Sequence, residues 1–199
     1  MNIQAILLAA GRSRRFGSDK LIAELDGEAL AVRSARNLLA AGLPVLAVVR
    51  EPDGAVAARL AGLDGVTVAV CADAGQGMGR SLAYGVACSA QADAWLVALA
   101  DMPRILPATI AAVADALRDG AALAAPVCAG RRGHPVGFAA RWRAPLLALD
   151  GDRGARPLIE AHAGMLRPIR TDDPGVLLDL DRPGDLASLG EATGRSREP

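Results

Sequence analysis

Residues 3–20 read Ile3-Gln4-Ala5-Ile6-Leu7-Leu8-Ala9-Ala10-Gly11-Arg12-Ser13-Arg14-Arg15-Phe16-Gly17-Ser18-Asp19-Lys20. Ile3 to Ala9 form an apolar run that stops at Gly11, which predicts a buried parallel strand. The loop after it pairs glycines with cations. Gly11 and Gly17 let backbone N–H groups approach a ligand, and Arg12, Arg14, Arg15 and Lys20 add cationic donors. By chemistry this is a phosphate-binding loop; the bland alternative is a solvated arginine-rich turn. Gly11 and Gly17 lie six apart with Lys20 three further on, so it is not a Walker A loop, and it is not GxGxxG.

The rest of the chain supports a strand in that place. Val45–Val49, Val66–Val70, Trp95–Leu99 and Leu123–Val127 read as strands. Residues 29–41, 55–61, the stretch after Gly79 to about Ala90, and Pro107–Arg118 read as helices. Such alternation predicts an α/β protein with a mostly parallel sheet. Cys128–Arg170 is less regular, with an extended piece at Val136–Ala139, and is expected as an insertion over the sheet. Val176–Leu180 is expected as a last strand and Pro183–Leu189 as a last helix. Residues 1–192 are expected to form one domain, followed by a frayed polar tail at 193–199. In open α/β sheets ligands bind beyond the carboxyl ends of strands. Three polar clusters fall there: Gly11–Lys20, Gly75–Arg80 and Asp101.

Composition excludes several classes. The chain has 199 residues, 52% hydrophobic and 22% charged, with 22 basic residues against 22 acidic ones. This is globular usage, with no uniform basic field for coating nucleic acid. No apolar run reaches membrane-spanning length, and Met1–Gln4 has no basic leader. Cys71, Cys88 and Cys128 show no CxxC spacing, against a zinc site or disulfide framework. A cytoplasmic protein without membrane or nucleic-acid partners is expected. Lys20 is the one lysine; either a compact point charge is needed there that a guanidinium cannot replace, or its survival is chance.

Other positions carry chemistry. Gly75-Gln76-Gly77-Met78-Gly79-Arg80-Ser81 is either a nucleotide-approaching loop or an ordinary strand-to-helix turn. Asp101, at the tip of an apolar strand, suits Mg²⁺ held by one or two carboxylates plus substrate phosphates; a turn or cap aspartate is the alternative. Asp179 and Asp181, two apart on the expected last strand, are candidates for the second carboxylate, and Asp181 also fits a helix cap. His134 sits in the turn Gly130-Arg131-Arg132-Gly133-His134-Pro135, where a structural histidine that only shapes the turn is the alternative to a site residue. His162 reads as packed or exposed. No serine or cysteine stands in a nucleophile's context.

Leu8–Lys20 resembles the LAAGxSxRxGxxK signature of the nucleotidyltransferases that include the molybdenum cofactor cytidylyl- and guanylyltransferases. Gly11, Ser13, Arg15, Gly17 and Lys20 all fall in place. Asp101-Met102-Pro103 is similar to that family's DMP motif, and Gly133-His134-Pro135 to the GHP segment of its cytidylyltransferase (MocA-like) branch. Leu178–Leu186 resembles its LDIDTPEDL ending, with Arg182 and Gly184 in place of the usual threonine and glutamate. The motifs run in order over nearly the whole chain.

The resemblance implies a Rossmann-like, glycosyltransferase-A-like nucleotidyltransferase fold and Mg²⁺ as cofactor. It implies transfer of CMP from CTP to the phosphate of molybdenum-molybdopterin, releasing pyrophosphate, for xanthine dehydrogenase-type enzymes on which the protein docks transiently. Ala10 favours CTP, since the guanylyl branch usually has glycine there. The implied catalytic residues are Arg15, Lys20 and Asp101. The nucleotide falls to Leu8, Ala9, Ala10, Gly11, Arg12, Ser13, Lys20, Gly77 and Ser81. Metal falls to Asp101, Asp179 and Asp181, and the acceptor to His134; the glycine-bearing segment Gly151–Arg156 is a further acceptor candidate through Arg156, with solvated arginines as the alternative. A phosphate monoester is already an anionic nucleophile, so no base is needed; cations must offset the repulsion between two anions. The alternatives are a nucleotidyltransferase for another phosphorylated metabolite (a sugar phosphate, phosphocholine or phospholactate) and a non-catalytic cofactor-delivery partner.

Overall fold

The computed structural model describes residues 1–11 and 20–180. In chain order the elements are β1 (Ile3–Leu8), β2 (Glu24–Leu25), β3 (Glu28–Ala29), α1 (Leu30–Ala40), β4 (Val45–Val49), α2 (Ala55–Ala61), β5 (Val66–Val70) and α3 (Met78–Cys88). There follow β6 (Ala94–Leu99), α4 (Pro107–Arg118), β7 (Leu123–Cys128), β8 (Arg131–Arg132), β9 (Val136–Ala139), α5 (Arg143–Leu147), α6 (Arg156–Ala161) and β10 (Leu166–Arg170). The main sheet has the order β10-β7-β9-β6-β1-β4-β5, with β8 paired to β7. β6, β1, β4 and β5 are mutually parallel, as are β7 and β10, while β9 runs antiparallel to both β6 and β7.

The pattern of β1 shows why it sits centrally. Successive side chains of a strand face opposite sides. Ile3, Ala5, Leu7 and Ala9 pack on one side with α1, α2 and α4 residues such as Leu38, Leu60, Ile110 and Leu117. Ile6, Leu8 and Ala10 pack on the other with Leu82 and Val86 of α3, Trp142, Leu146 of α5 and Ile159 of α6. Burial on both faces is what makes such a strand apolar at nearly every position. Among the described residues no helix is long and apolar enough to cross a membrane.

Two sequence expectations are corrected. Cys128–Arg170 is not only an insertion over the sheet: α5 and α6 cover one face, but the segment also supplies β8, β9 and β10, with β9 inserted between β6 and β7. Val176–Leu180 is not a strand. Pro174–Leu177 is a 3₁₀ turn, because Asp173 accepts from the Gly175 N–H and Pro174 favours a helical start; residues 178–180 follow without strand pairing. The expected helix at 183–189 and the tail at 193–199 lie outside the described residues.

Candidate active site

β1 and β6 are neighbours with Leu8 opposite Leu99, so their carboxyl ends emerge together. The Ala9 N–H donates to the Val48 carbonyl at 2.9 Å and the Ala100 N–H to the Leu8 carbonyl at 3.1 Å, extending the ladder past both strand ends. The side chains of Leu8, Ala9 and Ala10 are buried in the core, and the Arg50 guanidinium donates to the Ala10 carbonyl at 2.8 Å. Gly11 is exposed, with open space where a Cβ would stand. Arg12, Ser13 and Arg15 lie outside the described residues.

Lys20 opens a 3₁₀ turn, Lys20–Ile22, and is 8% exposed. Its Nζ donates to Asp101 Oδ2 at 2.9 Å. The two residues are 81 apart in sequence and meet because β1 and β6 end side by side. The Asp101 turn is held from three directions. Ser34 Oγ of α1 donates to the Ala100 carbonyl at 3.0 Å, Asn37 Nδ2 to the Pro103 carbonyl at 2.9 Å, and the Leu180 N–H to the Asp101 carbonyl at 3.1 Å. Among the described residues Asp101 Oδ1 is buried without a hydrogen-bond partner. An acceptor in that state costs free energy unless a donor or cation meets it. The anchors Ser34 and Asn37 were not among the candidates. Both lie in the expected helix at 29–41, and nothing local distinguishes a packing polar residue from one tethering a distant turn.

His134 approaches the same turn from the other half of the sheet. The Gly133 N–H donates to the Pro126 carbonyl at 2.9 Å and the His134 N–H to the Val176 carbonyl at 3.0 Å. Burial, and secondarily the charge of Arg132, push the imidazole down to a pKa of about 4, while the Asp101 carboxylate opposes the shift. Near pH 7 the His134 imidazole therefore favours its neutral form and adds no positive charge to the site.

The charge beside it belongs to Arg132. This half-buried guanidinium makes no hydrogen bond or ion pair among the described residues. Burial and the charge of Arg156 lower its pKa, and Glu160 acts the other way. Arg156 itself is exposed and pairs with Glu160 at 2.7 Å; Arg153 reaches the same carboxylate at 3.1 Å. His134 and Arg156 thus both adjoin Arg132, whose place in a turn gives no local sign of this role.

The remaining candidates are placed as follows. Gly77 has φ +129° and a Cβ there would run into the Gly151 backbone and come within 2.8 Å of the Asp152 nitrogen. A Cβ on Gly79 would fall 2.5 Å from the Asp150 carbonyl oxygen, and the Gly79 N–H donates to the Gly151 carbonyl at 2.8 Å. Loop-on-loop packing therefore accounts for both glycines. Ser81 is buried in the first turn of α3. Asp179 is exposed, next to the Leu180 that bonds the Asp101 carbonyl. It is not on a strand, so the last strand that was expected to carry it is absent at 176–180; Asp181 lies outside the described residues. His162 stacks edge-on against Trp142, with ring centroids 4.7 Å apart, and its Nδ1 lies 2.9 Å from the Leu158 carbonyl oxygen. Among the described residues no group of three or more His, Cys, Asp or Glu is placed to hold a metal.

A doubly wound sheet with cationic and acidic groups gathered beyond the ends of β1 and β6 defines a nucleotide-handling α/β enzyme. Residues 5–165 match the MobA-like NTP transferase domain, and the chain belongs to that family. It is a nucleotidyltransferase with a Rossmann-like fold. It is similar to the purine catabolism protein PucB of Bacillus subtilis, 29% identical over 197 residues that cover 94% of this chain and 95% of that protein. It is also similar to the nicotine blue oxidoreductase of Paenarthrobacter nicotinovorans, 27% identical over 187 residues, covering 90% and 92%. The crystal structure of Rv0371c from Mycobacterium tuberculosis H37Rv superposes with a TM-score of 0.83 at 26% identity, covering 96% of this chain and 98% of that one. A further structure of that protein is a complex with manganese.

Proposed function

We propose that the chain transfers CMP from CTP to the phosphate of molybdenum-molybdopterin, giving molybdopterin cytosine dinucleotide and pyrophosphate. The observation that carries this reading is the Lys20–Asp101 pair at 2.9 Å, at the shared end of β1 and β6 and beside a neutral His134. Leu8, Ala9, Ala10 and Gly11 lead into the nucleotide loop, which continues through Arg12, Ser13 and Arg15. Ala10 supports a cytidine nucleotide. Gly77 and Ser81 remain proposed as nucleotide-side residues, with Gly77 acting through the loop it packs against. His134 and Arg156 face the acceptor, with Arg132 supplying the less solvated charge.

Mg²⁺ fits the donor set. Asp101 Oδ1 is a buried carboxylate oxygen with no hydrogen bond among the described residues, and hard divalent cations take such oxygens together with substrate phosphates. Asp101, with Asp179 or Asp181, would hold it. When bound it offsets negative charge on the triphosphate. The manganese complex of Rv0371c supports a divalent metal. The chain's own residues do the rest. Lys20 and Arg15 bind phosphate oxygens and stabilise charge that develops on the leaving pyrophosphate, and Arg132 and Arg156 orient the acceptor phosphate for attack. No side chain needs to remove a proton.

The relative named for purine catabolism agrees with a product used by xanthine dehydrogenase-type enzymes, and docking on such an enzyme belongs to the same proposal. So does a cytoplasmic site of action. The test is product identification. Incubation with CTP, Mg²⁺ and molybdenum-molybdopterin should yield a species whose mass equals the pterin plus CMP. A product formed only from a sugar phosphate, phosphocholine or phospholactate would replace this acceptor.

A further inference from the structure

Asp173 lies outside the proposed catalytic set, is 4% exposed, and has both carboxylate oxygens engaged. Oδ2 accepts from the Leu106 N–H at 2.8 Å and from Thr109 Oγ1 at 2.9 Å, at the start of α4. Oδ1 accepts from the Gly175 N–H at 2.9 Å, and the Asp173 N–H donates to Thr171 Oγ1 at 3.1 Å. The carboxylate therefore ties the strap of residues 173–180 to α4. That strap touches the site twice. The Val176 carbonyl accepts the His134 N–H at 3.0 Å, and the Leu180 N–H donates to the Asp101 carbonyl at 3.1 Å. The strap also packs too closely for side chains at two glycines. A Cβ on Gly175 would meet the Arg104 carbonyl, and one on Gly133 would meet the Val176 carbonyl.

We propose that Asp173 is a positioning residue for nucleotidyl transfer: by locking the 173–180 strap to α4 it sets the placement of Asp101 and His134. The proposal rests on the reading above that these two residues line the site. A plain helix cap would need only the contacts to Leu106 and Thr109. The bond to Gly175 and the strap's two contacts beyond it extend the hold to both halves of the site. Buried carboxylates are costly unless fully bonded, and releasing one bond shifts the whole strap.

The test uses the full chain, with turnover measured by pyrophosphate release at a temperature where circular dichroism shows each variant folded. Asp173→Asn replaces one acceptor oxygen with a donor. It should lower kcat about tenfold or more and leave the NTP KM within about threefold. Thr109→Val should lower kcat roughly threefold, and Thr109→Ser, which keeps the donor, should lose less. The second readout is hydrogen exchange of the His134 backbone N–H, which donates to the Val176 carbonyl of the strap at 3.0 Å. In Asp173→Asn this amide should exchange about tenfold faster or more as the strap loosens. A folded Asp173→Asn with unchanged kcat and unchanged exchange of the His134 amide would overturn the proposal and leave Asp173 as a cap. Should Asp173→Asn not fold, Thr109→Val decides by the same two readouts. Full turnover in Asp101→Asn would instead overturn the site reading on which the proposal rests.

Discussion

Replacing Lys20 with methionine removes a charge while keeping most of the side-chain length. Lys20 is the single lysine among 22 basic residues, is 8% exposed, and holds Asp101 at 2.9 Å. Removing one partner of a buried pair costs about 3–5 kcal/mol. Asp101 keeps 23% side-chain exposure, so the stability loss should fall near or below the lower figure, about 3 kcal/mol. The kinetic loss is separate. Deleting one preorganised donor aimed at developing charge costs about 10²–10³ in kcat. Lys20→Met should therefore lower kcat about a hundredfold, measured by pyrophosphate release at saturating NTP and Mg²⁺ below the melting point. Lys20→Arg should also lose about tenfold or more, because a planar guanidinium does not fit a nearly enclosed ammonium position. In Lys20→Met/Asp101→Asn neither charge is left buried alone, so stability should partly recover and turnover should not. Turnover of folded Lys20→Met within about threefold of the parent would refute the assigned role.

Three further outcomes are expected. The His134 pKa is lowered from 6.5 to about 4, so in that window the unfolded chain binds the proton first. Its contribution to stability is full above pH 6.5 and is lost as the pH falls towards 4, by at most about 3 kcal/mol. Urea unfolding at pH 7 and pH 4.5 should show this slope, and His134→Gln should flatten it. Gly133→Ala would drive a Cβ into the Val176 carbonyl and break the bond to the His134 N–H; turnover should fall about tenfold or more, with a stability loss of about 1–3 kcal/mol by thermal melting. Arg132→Ala should raise the KM for the phosphorylated acceptor about tenfold and leave the NTP KM unchanged; steady-state kinetics with each substrate varied in turn would separate these.

Much of the fold was legible because a parallel sheet writes itself plainly. Val45–Val49 and Val66–Val70 are apolar runs that match β4 and β5 end to end, and Pro107 marks the first residue of α4. β10 was not legible: Leu166-Arg167-Pro168-Ile169-Arg170 is short, largely exposed and contains proline, which suits an edge strand but hides its signal. The apolar run at Val176–Leu180 misled in the other direction. Its Val176 and Leu180 are buried, but Asp173 and Pro174 turn the chain before a ladder forms. The meeting of Lys20 with Asp101 followed from two strand ends on one sheet and one motif each. Arg132, Asp173, Ser34 and Asn37 carried no such signal, since each acts through a tertiary contact. The glycines at 77 and 79 were legible as a tight loop, and their reason, the approach of residues 150–152, was visible only in three dimensions.

The most direct measurement is Mg²⁺-dependent pyrophosphate release with CTP, GTP, ATP and UTP in turn, each with and without molybdenum-loaded molybdopterin. Release with CTP, only in the presence of the pterin, and lost in Lys20→Met and Asp101→Asn, is the expected result. Silence with active molybdopterin and all four nucleotides would contradict the proposed reaction.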